Sequence, residues 1–356
     1  MPPITVCIIA KNEESRIEQC LNALTPYHFE IVLVDTGSTD RTISIARRYT
    51  NRIYEFQWID DFSAARNFAT SKATNDWILA LDCDEILQEC NIATMEDFMR
   101  SNPAHIGQIT RINEITAEDE VRYVQEPLSR FFHKKYYHFV GSIHEQVAPL
   151  QSNSAYVNLQ LPISILHIGY NISSEEVIEK HNRNITLLQK AAKNEPNNPY
   201  HVFQLGQSYQ AMEDFTQAKA FYEQAIALQP SLQELYTKIL YVSYGNILKV
   251  EQQYKEGVTL LEPLRDTFGT YSDYCYLLGM LYYCTFDLQN ATLLFAQALS
   301  APEHSDLATT SDLPHYMLAR INEQIGAPDL AITFYKKCIT FNDANERLNK
   351  LLTTTY

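Results

Sequence analysis

The sequence carries little positive charge. Its 28 lysine and arginine residues stand against 43 aspartate and glutamate residues, which gives a formal net charge of −15 at pH 7. A basic surface that would attract phosphodiester backbones or anionic lipid is therefore missing. We expect neither nucleic-acid binding nor polybasic membrane docking.

Long apolar runs are missing too. No stretch of ~18 or more apolar residues occurs, and the first residues lack the charged and apolar regions of a signal peptide. The seven cysteines are an odd number, scattered and mostly inside apolar runs, which fits reduced buried thiols better than a disulfide framework or a zinc site. These features predict a cytoplasmic protein without a membrane span.

The length predicts two domains. The 356 residues exceed the roughly 250–300 at which one hydrophobic core stops growing, and 46% hydrophobic residues suit a folded globular chain. We expect a first domain over residues 1–170, a linker helix over 171–198 and a helical-repeat domain over 199–356.

Short apolar segments alternate with helix-period stretches through the first 85 residues. Predicted strands cover residues 4–9, 30–34, 52–56 and 77–81, and predicted helices cover 14–24, 41–49 and 63–73. Repeated βαβ units predict an α/β domain whose parallel sheet is covered by helices on both faces. Residues 86–170 lose this regularity and predict mixed or antiparallel strands.

The last 158 or so residues repeat a pattern of small and aromatic side chains. The clearest copy contains Gly206 and Tyr222, and others are centred on Gly245, Gly279 and Gly326. This spacing is typical of tetratricopeptide repeats, with two helices in each unit of about 34 residues. Small residues let the paired helices approach, and aromatic residues fill the gaps between units. A chance amphipathic bundle is the alternative.

Polar clusters follow the predicted strands of the first domain. They lie at residues 11–13, 35–40 and 82–85, and a fourth cluster at 61–67 opens the third helix. In an open α/β sheet, ligands bind beyond the carboxyl ends of the strands, where helix N-termini also point. All four clusters are therefore expected on one rim.

Asp82 and Asp84 are the most specific feature of that rim. Two carboxylates one residue apart at the end of a buried strand offer hard oxygen ligands to Mg²⁺ or Mn²⁺. A lone pair of this kind is also common in surface turns. Here Glu85 adds a third acid directly after an apolar strand, where like charges repel unless a cation joins them.

Asp35 and Arg66 are candidates for nucleotide binding. Asp35 would present a carboxylate to the base or ribose, although Asp35 and Asp40 could instead cap the turn and the helix that follows. Arg66 is a well-placed cation for a phosphate or base, with an ordinary surface arginine as the alternative.

The ordered motifs are Lys11–Glu14, Val34–Thr42, Phe62–Asn67, Trp77–Glu85, Arg130–Phe132, Gly141–Glu145 and Leu166–Tyr170. Together they closely resemble the family 2 glycosyltransferases of GT-A fold, over about the first 170 residues. With repeats downstream, the layout is similar to the sublancin-type S-glycosyltransferases, which modify peptide cysteines. Enzymes that act on lipopolysaccharide cores or other glycans share the same motifs.

The resemblance implies roles for particular residues. Asp82 would contact the ribose or the metal, Asp84 would bind the metal that bridges the diphosphate, and His167 would be a late metal or phosphate ligand. The nucleoside, expected to be uridine, would be held by Ala10, Glu13, Asp35 and Arg66.

A single inverting displacement needs a base near the acceptor and a stabilised leaving diphosphate. Glu145 is the candidate base, and the adjacent His144 is a second candidate catalytic residue. For both His144 and His167, a satisfied histidine in a β-rich core is the alternative.

The expected function is metal-dependent transfer of a sugar from a UDP-hexose to a peptide side chain, either a Cys thiol or a Ser/Thr hydroxyl. A glycan-directed transferase and a non-catalytic repeat scaffold remain alternatives. The crowded acids argue against a scaffold, and a concave repeat surface suits an extended peptide better than a branched sugar. Helical repeats also self-associate, so a homodimer through the repeat domain remains open.

Overall fold

The computed structural model describes residues 2–117, 120–151, 156–168, 174–338 and 341–354. The chain forms two compact units, Met1–Val121 with Gln125–Glu176 and Arg122–Val124 with Val177–Tyr356. The predicted boundary between residues 170 and 171 lies outside the described residues, as do Gly169 and Tyr170 of the last sequence motif.

The first unit combines β-strands with short helices. Its strands are β1 (Ile4–Ala10), β2 (Glu30–Asp35), β3 (Ile53–Glu55), β4 (Trp77–Asp82), β5 (Glu85–Cys90), β6 (Ile106–Ala117), β7 (Glu120–His133), β8 (Tyr137–Val140), β9 (Gln146–Pro149) and β10 (Asn158–His167). Its helices are α1 (Ile17–Leu24), α2 (Thr42–Ala46), α3 (Phe62–Lys72) and α4 (Ile92–Ser101), and α5 (Ser174–Asn194) follows.

Within the described residues, these strands form an eight-stranded sheet in the order β3-β2-β1-β4-β7-β6-β10-β5 and a separate two-stranded sheet of β8 and β9. Strand β1 is parallel to both β2 and β4, and β2 is parallel to β3. Beyond β4 the sheet is mixed, because β7 is antiparallel to β4 while β10 is parallel to β6. The predicted α/β fold, with a parallel first half and a mixed second half, is confirmed.

Both faces of the central strands are buried. Ile8 of β1 packs in one core with Ile17 and Leu21 of α1, whereas its neighbour Cys7 packs in a second core with Ala69 of α3. Successive side chains of a strand point to opposite faces, so helices cover both sides of this part of the sheet.

Some predicted elements differ in extent. The helix predicted over 41–49 is only Thr42–Ala46; Asp40 Oδ1 accepts a hydrogen bond of 2.9 Å from the Thr42 amide, which starts the helix there. The strand β5 was not predicted, because exposed Gln88 and Glu89 break its apolar pattern. They are accommodated because β5 lies at the edge of the sheet.

The second unit is helical. After α5 come α6 (Pro199–Ala211), α7 (Phe215–Ala227), α8 (Leu235–Val250), α9 (Tyr254–Leu261), α10 (Arg265–Phe268), α11 (Ser272–Cys284), α12 (Leu288–Ala298), α13 (Asp312–Gln324), α14 (Pro328–Tyr335) and α15 (Asn342–Thr354). Within the described residues, four successive hairpins occupy the positions of the four predicted repeats: α6 with α7, α8 with α9, α11 with α12 and α13 with α14.

Close helix contacts explain the repeated glycines. A Cβ on Gly206 would lie 2.4 Å from Cε1 of Tyr222, and one on Gly279 would lie 2.9 Å from Cε1 of Phe295. The prediction that small residues let the paired helices approach is therefore confirmed in both hairpins. No helix in the described part of the chain combines the length and apolar character needed to cross a bilayer.

Candidate active site

The strand register gathers the predicted polar clusters on one rim. Ala10 pairs with Asp35, and its neighbour Ile9 pairs with Asp82, so β1, β2 and β4 end side by side. Asp82 and Asp84 therefore lie on the same edge of the sheet as Asp35.

The loops after β1 and β2 are joined by hydrogen bonds. Asn12, with a φ of 55°, accepts a bond of 2.8 Å from the Thr39 amide through Oδ1. The Glu13 amide donates to Thr42 Oγ1 at 2.7 Å. Asparagine tolerates the left-handed conformation, so it can turn the chain sharply at this point. The rim is thus built from two loops held in a fixed relation.

Asp35 organises the turn that follows β2. It is 8% exposed, and its carboxylate accepts bonds from the amides of Gly37 at 3.3 Å and Ser38 at 3.1 Å. Glu13, on the neighbouring loop, forms an ion pair of 3.1 Å with Arg16, and burial raises the pKa of its carboxyl. Both acids lie at the rim, and Asp35 also caps its own turn.

Helix α3 carries Arg66 into the site. Asp61 caps the helix by accepting a bond of 2.9 Å from the Ala64 amide. One turn later, Arg66 is only 4% exposed; its Nη2 donates to Asp82 at 2.6 Å and its Nε donates to Glu145. Arg66 thus links an acid at the end of β4 with the candidate base, and it is not a surface arginine.

Asp82 is held by two arginines. Its Oδ1 accepts from Arg66 and its Oδ2 accepts from Arg130 Nη2 at 3.1 Å. Burial by itself would raise the pKa of Asp82, but the two guanidinium groups hold it below its usual range. Asp82 is therefore a stably ionised centre of this network.

Glu85 lies beneath the rim. Its residue surface is 0% exposed, and its Oε2 accepts a bond of 2.8 Å from the Asp82 amide. Its Oε1 lies 3.7 Å from Arg111 and 4.0 Å from Arg130. Burial, together with the charge of Asp82, raises the pKa of the Glu85 carboxyl. Glu85 thus braces the backbone that presents Asp82.

Asp84 and His167 meet across the rim. The Asp84 Oδ2 and His167 Nε2 atoms are 3.2 Å apart, and the amide of Ile168 donates to the Asp84 carbonyl at 3.0 Å. His167 ends β10, which pairs with β5 in a register that sets His167 opposite Glu85. Residues 83 positions apart along the chain are thereby brought into direct contact.

A hairpin of β8 and β9 presents Glu145. The amide of Phe62 at the start of α3 donates to the Ser142 carbonyl at 2.9 Å. Asn67 then clamps β8, because its side chain donates to the Phe139 carbonyl at 2.8 Å and accepts from the Phe139 amide at 2.9 Å. These contacts fix the hairpin loop, in which His144 has a φ of 51° beside Glu145.

The chemistry of these side chains suits a cation shared with a substrate. Among the described residues, no group of three or more His, Cys, Asp or Glu side chains could enclose a metal ion. Mg²⁺ and related cations usually need only one or two protein carboxylates, and phosphate oxygens and waters supply the other ligands. Asp84 could supply such a carboxylate, with His167 Nε2 3.2 Å from its Oδ2 atom.

A separate open cleft of about 660 Å³ includes Thr70, Asp76, His133 and Lys134 in its lining. Asp76 immediately precedes β4, so this cleft lies toward the opposite end of that strand from Asp82. The acid rim and the cleft are therefore different features of the first unit.

Comparison with known families identifies the first unit. The family model of Glycosyl transferase family 2 matches residues 5–149, which contain β1 to β9. The tetratricopeptide repeat model matches residues 202–232 and 314–345, the first and last of the helical hairpins. This chain contains a family 2 glycosyltransferase domain followed by tetratricopeptide repeats.

Two curated relatives are glycosyltransferases by name. The SPbeta prophage-derived glycosyltransferase SunS of Bacillus subtilis is 29% identical over 239 residues, which are 63% of this chain and 53% of SunS. An uncharacterized glycosyltransferase of Rickettsia typhi is 36% identical over 89 residues, 25% of this chain and 30% of that protein. The chain thus spans about half the length of SunS.

Two further proteins are similar to this chain. A TPR repeat-containing protein of Synechococcus elongatus is 42% identical over 87 residues, 24% of this chain and 22% of that protein. Among solved structures, MamA of Desulfovibrio magneticus RS-1 is 18% identical and covers 47% of this chain and 89% of its own, with a TM-score of 0.39.

Several residues of the glycosyltransferase domain site were not assigned roles from the sequence. The sequence marks Arg130 only as part of a motif and indicates no role for Arg111, Asn113 or Glu126. Arg111 and Asn113 stand two residues apart on β6, so the strand period places them on one face. Two polar residues spaced two apart in a predicted strand were the sequence pattern that could have indicated these site residues.

Proposed function

We propose that this chain is an inverting glycosyltransferase that transfers a hexose from UDP-hexose to a peptide side chain, with a divalent cation bound at Asp84 and His167. The observation that carries the proposal is the single network on the rim of the family 2 domain. In it, Arg66 joins Asp82 to Glu145, and Asp84 faces His167 at 3.2 Å.

The donor would lie along the carboxyl ends of β1, β2 and β4. Asp35 retains lone pairs beyond its turn bonds and would accept from the uracil or ribose, beside Ala10 and Glu13. Asp82 would contact the ribose. Both oxygens of Asp82 already accept from arginines, so Asp84 and His167 are the proposed metal ligands. When bound, Mg²⁺ or Mn²⁺ would neutralise charge that develops on the departing diphosphate.

Glu145 would act on the acceptor. Its carboxylate takes the proton of the acceptor S–H or O–H while the acceptor atom bonds to the anomeric carbon and the bond from that carbon to the diphosphate oxygen breaks. The electron pair of the broken bond leaves with UDP, and the configuration inverts. Arg66 fixes Oε1 of Glu145 and so orients the carboxylate. His144, next to Glu145 in the same hairpin loop, would also face the acceptor.

The peptide acceptor is supported by the resemblance to enzymes that modify peptide cysteines and by the helical repeats downstream. A thiol, with a pKa of ~8.5, loses its proton more easily than a hydroxyl and so depends less on the general base. All seven cysteines are free thiols, which suits the reducing cytoplasm, where we place the protein. A homodimer through residues 199–356 is part of the same proposal.

The proposal is tested by incubating the full chain with a panel of nucleotide sugars, Mn²⁺ and candidate peptides. Nucleotide release and the mass of each peptide are measured, for the wild type and for Glu145→Gln. We expect a hexose mass shift with UDP donors. Transfer by Glu145→Gln should fall at least ~100-fold because the general base is lost, with UDP affinity unchanged within a few-fold.

Glu89→Gln is the matched control, since Glu89 is exposed on β5, and it should transfer at the wild-type rate. Full activity of Glu145→Gln would remove Glu145 from the mechanism. Transfer only to oligosaccharides would replace the peptide by a glycan acceptor. If the chain binds peptide but neither hydrolyses UDP-sugar nor transfers the sugar, the non-catalytic repeat scaffold is favoured.

A further inference from the structure

His167 lies between an amide oxygen and a carboxylate oxygen. Its Nε2 is 3.2 Å from Asp84 Oδ2, and its Nδ1 is 2.9 Å from Asn113 Oδ1. His167 is 8% exposed and Asn113 is 2% exposed. Both ring nitrogens of this buried histidine therefore contact a polar atom. Whether that atom donates or accepts a hydrogen bond decides which nitrogen carries a hydrogen.

Glu126 fixes the orientation of the Asn113 amide. Its Oε1 accepts from Asn113 Nδ2 at 2.8 Å, from Arg111 Nη2 at 2.6 Å and from Arg111 Nε at 2.9 Å. Burial would raise the pKa of Glu126, but Arg111 and Asn113 hold it below its usual range, so the carboxylate is ionised and can only accept. The NH₂ group of Asn113 must therefore face Glu126, which turns the amide oxygen toward His167.

This orientation determines the tautomer of His167. An amide oxygen only accepts, so Nδ1 of His167 has to carry the hydrogen that it donates to Asn113. Nε2 is then left facing Asp84 Oδ2. A lone pair on Nε2 and a carboxylate oxygen at 3.2 Å repel unless a proton or a metal cation lies between them.

We propose that Asn113, oriented by Glu126, is a positioning residue that fixes the Nδ1–H tautomer of His167 and so presents Nε2 together with Asp84 Oδ2 as joint ligands for a divalent cation. Metal-ligating histidines commonly depend on such a hydrogen bond from the other ring nitrogen. The inference rests on the proposed function for the purpose of the cation, while the hydrogen on Nδ1 follows from the contacts alone.

The tautomer can be measured directly. Selective ¹⁵N labelling of histidine in the full chain, with His167 assigned from a His167→Gln sample, reports the protonation of each ring nitrogen. In the metal-free wild type we expect Nδ1 to carry a hydrogen. In Asn113→Leu the Nδ1 acceptor is gone, so the population should move to the tautomer with hydrogen on Nε2, donated to Asp84. An unprotonated Nδ1 in the wild type would overturn the proposal.

Metal affinity gives an independent readout. Binding of Mn²⁺ in the presence of UDP is followed by electron paramagnetic resonance for wild type, Asn113→Leu, Glu126→Gln and Thr110→Val. We expect about 10–100-fold weaker binding for Asn113→Leu, the usual effect of losing such a partner, and a smaller loss for Glu126→Gln, which frees the amide to turn. Equal affinity in wild type and both variants would also overturn the proposal.

Thr110→Val is the matched control, because Thr110 lies on the same strand and accepts a bond of 2.9 Å from Gln160, away from His167. It should bind Mn²⁺ as the wild type does. Should Asn113→Leu fail to fold, the wild-type spectrum and Glu126→Gln still decide the outcome. If the wild type turns over UDP-sugar but the variants bind Mn²⁺ as tightly as the wild type, this inference alone is refuted. If the tautomer and the Mn²⁺ affinities are as predicted but no UDP-sugar is turned over, only the proposed function is refuted.

Discussion

The acidic residues of this domain have different roles, and the contacts of each side chain show which role it has. Asp82 is neutralised by Arg66 and Arg130, whereas Asp84 faces His167. Glu30, at the opposite end of β2, accepts from the Thr74 hydroxyl at 2.7 Å and pairs with Arg52 at 2.9 Å. The first two acids belong to the rim. Glu30 joins strands and loops at the other edge and is structural.

Glu30 gives a prediction about pH and stability. Burial would raise its pKa, but bonds from Thr5 and Thr74 and the charge of Arg52 lower it. A depressed folded-state pKa means that the stabilisation is fully present above the unfolded value of ~4.3 and is lost as the pH falls through the folded value. Glu30→Gln should therefore lower the free energy of unfolding by about 1–3 kcal/mol at pH 7.

The difference between Glu30→Gln and wild type should shrink below about pH 4, where the wild-type carboxyl also becomes protonated. Urea denaturation followed by circular dichroism at a series of pH values measures this. The exposed Glu89→Gln should stay within about 0.5 kcal/mol of wild type throughout. A difference that grows as the pH falls would contradict the account of Glu30.

Residue types at the ends of strands could be read from the sequence, but most of their partners could not. Asp35, Asp82 and Asp84 were expected on one rim because parallel strands end together. The pairing of Arg66 with Glu145 spans 79 residues, and no local pattern encodes it. That Arg66 contacts the donor stays a prediction; in the structure its Nε and Nη2 atoms bind the carboxylates of Glu145 and Asp82.

At the scale of elements, α3 connects sheet and hairpin. Its cap at Asp61, its inner face at Arg66 and its clamp at Asn67 serve three different contacts within two turns. The helix was predicted from its helical period, and its cap at Asp61 is seen only in the structure. The hairpin of β8 and β9 that it holds depends on tertiary contacts, which no local sequence pattern encodes.

The hairpins of the repeat unit allow a comparison of two glycines. Tyr222 Oη accepts from Gln207 at 2.6 Å and donates to Gln210 at 2.5 Å, so its ring cannot move away from a new Cβ at Gly206. We expect Gly206→Ala to lower the free energy of unfolding by about 1–3 kcal/mol through overpacking. Thermal and urea unfolding of the full chain measure the change.

Gly257→Ala is the matched control. Its Cβ would meet the methyl groups of Leu281 at 2.9 and 3.0 Å, and a leucine end can shift. The gain in helix propensity, about 0.8–1.0 kcal/mol, offsets that contact. The control should be close to wild type. Equal destabilisation by both substitutions would show that the aromatic ring at Tyr222 is not the cause.

For the whole molecule, the order of elements was the most predictable property. Alternating strands and helices gave the α/β sheet, and the recurring glycine and aromatic positions gave the helical hairpins. The sequence did not reveal that β7 is inserted beside β4 while β5 is at the far edge, because strand order depends on long-range pairing. This order places His167 next to Asp84 and so completes the rim.

We expect this rim to bind a nucleoside diphosphate through a cation held by Asp84 and His167. Crystals of the full chain grown with UDP and Mn²⁺ test it most directly through the anomalous signal of manganese. We predict one strong peak bonded to Asp84 Oδ2, His167 Nε2 and the diphosphate oxygens, with the uracil beside Asp35. UDP bound elsewhere, or at this rim with manganese away from Asp84 and His167, would contradict it.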